Sequence, residues 1–214
     1  MVSLMDIKQE LVIKLRSADI ISTSNRGVTT STDTGTFSDA ATWTLGTNPT
    51  KAKNVRSVVV GGSTLAYGTD YTIVLSSGVI TFTVAQTGAY TIVYDQGNSD
   101  RIYPDFPQPH LKLSDFPRIA VDILGVTSNE FGIGAEITQS TYTISIVAYD
   151  KDQTDVENMI STIKDLIMDN KKTFYYLSFI SPTTAGPLLI SEFGQNKIMQ
   201  RNQDAEVRFS FDGI

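Results

Sequence analysis

Residues 117–170 read PRIAVDILGVTSNEFGIGAEITQSTYTISIVAYDKDQTDVENMISTIKDLIMDN, and three elements can be separated within them. Ile119, Val121 and Ile123 alternate with Ala120, Asp122 and Leu124. Further on, Tyr142, Ile144, Ile146 and Ala148 alternate with Thr143, Ser145, Val147 and Tyr149. A period of two predicts two strands. Thr154 with Glu157 three residues later has capping-box spacing, in which hydroxyl and carboxylate satisfy backbone N–H groups left free in the first helical turn. Val156, Met159, Ile160, Ile163, Leu166 and Ile167 then recur on one helical face, and Lys164, Asp165 and Asp169 fall off it. Two strands with an amphipathic helix laid across one face predict a two-layer α+β unit.

Upstream, Leu4 to Arg16 reads as a first helix, with Ser3 and Asp6 at capping spacing and Leu4, Ile7, Leu11 and Leu15 on one face. Ser22 to Thr36 is almost entirely Ser, Thr, Gly and Asn and is read as an extended linker. Residues 35–98 differ in kind: they hold twelve threonines and only six charged residues, three of each sign. Segments 42–44, 57–60, 71–75, 79–83 and 90–94 are rich in β-branched and aromatic residues, and Gly61-Gly62, Gly68, Gly78 and Gly88 punctuate them. Short strands at such intervals predict a small β-sandwich or barrel. Asp95 to Pro117 holds four of the seven prolines and reads as an extended crossing. Beyond the second helix, 173–180, 188–193 and 205–211 read as strands. The expected organisation is a discontinuous α+β domain of residues 1–34 plus 99–214, a mixed sheet with two helices, interrupted by an all-β domain of residues 35–98.

The 214 residues are 41% hydrophobic and 19% charged, a globular balance. A net charge of −6 argues against general nucleic-acid binding, which depends on cations neutralising phosphates. With no cysteine, disulfides, thiolate catalysis and Cys-ligated metals are excluded. No run is long enough for a membrane span, and the amino terminus lacks a secretory pattern, so the chain is expected to be made and kept in a cytoplasm. His110 is the single histidine, leaving a metal cluster or a His-paired nucleophile without its other members. Asp150, Asp152 and Asp155 miss EF-hand spacing, because Asp155 stands at the glycine position and Ser161 at that of the bidentate glutamate. Gly132 and Gly134 begin a dinucleotide pattern that Ile137 breaks. No catalytic residue, metal or cofactor is expected, and an enzyme is disfavoured. Lys197, Arg201 and Arg208 are candidate basic residues for a lumen or surface. Phe174 and Tyr176, taken as lying on a strand, are candidates for an interface.

Helix, proline-rich crossing, a strand opened by Phe116-Pro117-Arg118-Ile119, a glycine-containing connection, the strand around Tyr142-Thr143-Ile144-Ser145-Ile146, an Asp-rich turn, an amphipathic helix and a terminal strand occur here in one order. That order resembles the tail-terminator (tail-completion) proteins of long-tailed bacteriophages, over residues 1–20 and about 100–214. Val58-Val59-Val60-Gly61-Gly62, Tyr67-Gly68-Thr69-Asp70-Tyr71-Thr72, Gly78-Val79-Ile80-Thr81-Phe82 and Gly88-Ala89-Tyr90-Thr91-Ile92 look like the immunoglobulin-like (Ig-like) modules of phage structural proteins. Small terminators lack such an insert.

The resemblance implies a structural virion protein of the neck or tail, a homohexameric ring that ends the tail tube and meets the tube protein and the head-side connector or stopper. Genomic DNA would pass through without specific binding, in keeping with the acidic balance. Another neck protein of related fold is an alternative. From a different class, so is an adhesin or carbohydrate-binding module built on the Thr-, Tyr- and Trp43-bearing insert. The connection Gly125 to Gln139, with Asn129, Glu130, Phe131 and Ile133, is expected to project as a hairpin and contact the tube or a neighbouring subunit.

Overall fold

The computed structural model describes residues 4–46, 51–104, 116–131, 137–177, 179–193 and 196–212. The chain forms two compact units, Met1–Ile20 with Arg101–Ile214, and Ile21–Asp100. In order the described elements are α1 (Leu4–Ser17), α2 (Thr23–Arg26), β1 (Thr29–Thr44), β2 (Ala52–Val60), β3 (Ser63–Leu65), β4 (Tyr71–Val74), β5 (Val79–Gln96) and β6 (Ile102–Tyr103). There follow β7 (Arg118–Phe131), β8 (Ile137–Asp150), α3 (Gln153–Asn170), β9 (Ile180–Ala185), β10 (Leu189–Phe193) and β11 (Asn196–Asp212). Among the described residues the fold is mixed but mostly β, with three helices and about 57% strand in two sheets. No described helix is long and apolar enough to cross a membrane.

The first unit is built on a sheet of order β10-β11-β8-β7-β6, in which β9 also pairs with β11. Alternation in 119–124 and 142–149 sets the register: Ile119 faces Ala148, Val121 faces Ile146 and Ile123 faces Ile144. On the other side of β8, Ile146 faces Gln203 and Ile144 faces Ala205. The helix α3 lies along β8, β9 and β11, with Val156, Met159, Ile160, Ile163 and Ile167 buried. Its Glu157 bonds Arg201, which by strand period shares a sheet face with Gln203, Ala205 and Val207, so α3 covers that face. Ile7, Leu11 and Leu15 bury the stripe of α1, which runs along β6 and β7. The expected Ser3 cap lies outside the described residues.

Two expectations for this unit are corrected. Asp152, not Thr154, caps α3, its carboxylate accepting from the N–H groups of Thr154 and Asp155 at 2.7 and 3.4 Å. The helix therefore begins two residues earlier, at Gln153, and leaves Glu157 free to reach Arg201. The stretch 173–177 is a series of turns, and strand starts at Ile180, running through Pro182 to Ala185. A proline fits there because β9 lies at the edge of the sheet, where an absent N–H leaves no bond unmade.

The second unit begins well before residue 35. Residues 22–36 are not a linker: α2 is capped by Ser22 and closed by Gly27 at φ 76°, and β1 starts at Thr29, where it pairs with Gln96. Ladder hydrogen bonds rather than apolar burial hold this polar stretch, which composition alone reads as unstructured. All strands of the unit join in one sheet, β1-β5-β2-β3 with β4 also on β5. Residues 79–83 and 90–94 are two ends of one strand, β5. Phe82 and Tyr90, eight positions apart, would be separated by about 26 Å on a straight strand. Yet both rings lie against Phe37, at 5.4 and 4.1 Å between centroids. The sheet is therefore bent over on itself, with irregular pairing between Phe37 and Thr42 of β1 and a positive φ at Gly88 of β5.

The two ends of this unit are tied together by buried charge. Arg26 is 0% exposed and donates to both Asp100 oxygens at 3.1 and 2.7 Å and to Asp95 at 3.0 Å. Asp95 also accepts from Arg56 at 2.7 Å and Thr30 at 2.9 Å. A buried ion pair is tolerated only when its remaining hydrogen-bonding capacity is met, and here two guanidiniums and a hydroxyl meet it.

Candidate functional site

The connection expected to project as a hairpin is paired along its length among the described residues. From Gly125 to Phe131, β7 continues to pair with β8, and β11 follows β8 outward from Val207 to Asp212. The result is a three-stranded blade with β8 in the middle, about 20–25 Å long. Leu124 through Asn129 are all exposed, and successive strand residues face opposite ways, so β7 is uncovered on both faces here. Leu124 and Val126 are 56% and 48% exposed. Asn129 is on this blade. The backbones of Glu130 and Phe131 pair with Thr138 and Ile137, and Ile133 lies outside the described residues.

A second feature follows α3. The Glu10 carboxylate, 1% exposed, accepts the N–H groups of Tyr175, Tyr176 and Leu177 at 2.5, 2.8 and 3.1 Å. In a strand successive N–H groups point in opposite directions, so three that converge on one carboxylate require a turn. Burial pushes the Glu10 pKa above its ordinary value, against the opposing pull of these N–H groups and Lys14. Phe174 is buried, under Lys14 at 5.7 Å from its ring, and so belongs to the core rather than to an open interface. Tyr176 is half-buried and meets the Tyr175 ring edge-on. Outward from the turn stand Tyr175, 50% exposed, and Phe179, 71% exposed.

The candidate basic residues are not brought together. Arg201 is engaged by Glu157 and by the Gly186 carbonyl at 2.8 Å. Lys197 is exposed beside Glu192 across the β10–β11 pair, and Arg208 lies on the opposite face of β11 near Glu206 at 3.4 Å. His110 lies outside the described residues. In the Asp-rich turn, burial raises the Asp150 pKa, with nearby Asp155 and Asp152 adding to it, while Asp152 serves the helix. No cluster able to hold a metal is present among the described residues.

In the second unit, the Trp43 indole N–H donates to Asp33 at 3.1 Å and its ring lies edge-on to Phe37. Phe37 stacks on Tyr90 at 4.1 Å. Burial and the Asp33 charge raise the Tyr90 pKa. These rings fill the inside of the bent sheet rather than forming an open platform. An open depression of about 310 Å³ lies between Gly27–Thr29, Lys51 and Gln96–Asn98, with Lys51 its one charged lining residue among those described.

Glu10 was not singled out from sequence, although it carried a signal: three residues after Ile7, it is an acid on the apolar face of α1. Arg26 carried none, set among Ser, Asn and Gly. A comparison with protein-family models gives no match, and neither does a comparison with curated proteins.

Proposed function

We propose that the chain is a structural protein of a tailed-virus neck or tail end, forming a ring, six-fold by resemblance, that terminates the tail tube and meets the head-side connector. The blade of β7, β8 and β11 carries this reading. From Leu124 to Asn129 it exposes both faces of β7, which suits it to contact a neighbouring subunit or a tube. The order of α1, β7, β8, α3 and β11 supports the two-layer terminator-like arrangement. The bent sheet closed around Phe37, Phe82 and Tyr90 supports reading the second unit as a small Ig-like module carried by the first. An adhesin is less well supported, because the Trp43 N–H and ring edge are committed within the unit.

The test is the solution mass of the purified chain by light scattering, with negative-stain images of the same sample and an assay for capping of tail tubes. Closed rings that cap tubes are expected. A monomer that ignores tubes would overturn the proposal, and specific glycan binding by that monomer would favour the adhesin.

A further inference from the structure

We draw no further inference here: the strongest candidate, the pair of open strand edges that β7 from Gly125 to Phe131 and β11 from Arg208 to Asp212 present on either side of the blade, belongs to the site already described, and nothing among the described residues shows what pairs with them.

Discussion

Glu10 sits where a helix normally carries a leucine, and its burial is tolerable because three N–H groups approach its two oxygens. Replacing it with Gln keeps the shape but turns an amide N–H₂ toward at least one of those donors. Glu10→Gln should therefore cost about 1–3 kcal/mol in chemical denaturation. The loss should also depend on pH. Glu10's pKa is raised above 4.5 in the fold, so between 4.5 and its native value the folded protein binds a proton that the unfolded chain does not. Wild-type stability falls as pH rises through that window, and the Gln variant has no such titration. The wild-type advantage should thus be larger near pH 4.5 than near about pH 8, and an advantage that grew with pH would refute this account. Apolar spacing marked Glu10 with a signal that went unread, and its partners left none, because turn 175–177 is 165 or more residues distant in sequence. The Arg26 network was illegible for a different reason: its members are ordinary polar residues until the two ends of the unit meet.

At the scale of elements, α3 shows how an adjacent competitor displaces a sound local pattern. Thr154 and Glu157 have capping-box spacing, but Asp152 stands two residues earlier, is as good a cap, and its carboxylate favours the positive end of the helix. Asp152→Ala should therefore destabilise the protein by about 1 kcal/mol, whereas Thr154→Ala should stay within about 0.5 kcal/mol, measured by thermal or urea unfolding. The reverse order would restore Thr154 as the cap. Elements that bury an alternating or helical stripe, such as α1, α3 and the inner parts of β7 and β8, were readable because burial writes that period into the sequence. The first half of β1 and the middle of β5 were not, since backbone pairing holds them and their exposed side chains need follow no period; the blade was expected only as a projecting hairpin, not as a continuation of β7 and β8. The segment TFYYLSFI misled in the opposite way. Its composition is that of a strand, and Glu10 takes the N–H groups a strand would need.

For the molecule as a whole, the first unit should survive without the second. In the first unit Arg16, one residue before the end of α1, donates to the Ile102 carbonyl at 2.5 Å, so the chain leaves and returns at nearly the same place. The Ile119 N–H likewise donates to the Arg101 carbonyl at 2.8 Å. A linker of about five Gly and Ser residues between Ile20 and Arg101 can therefore span the gap left by Ile21–Asp100. Whenever the second unit unfolds, it presents the first with an open loop of about 80 residues. Closing that loop costs about 2 kcal/mol more than closing the short linker. The excised unit keeps Arg26, Asp95 and Asp100, the residues that close its own base. Both the shortened chain and the isolated 21–100 segment should accordingly be soluble and unfold in single cooperative transitions, read by calorimetry and circular dichroism. An insoluble shortened chain would mean that the insert completes the core of the first unit. A molten 21–100 segment would mean that the buried charges alone do not hold its ends. If both fold, ring assembly by the shortened chain separates the surfaces of the first unit, which the ring reading needs, from any contribution of the second.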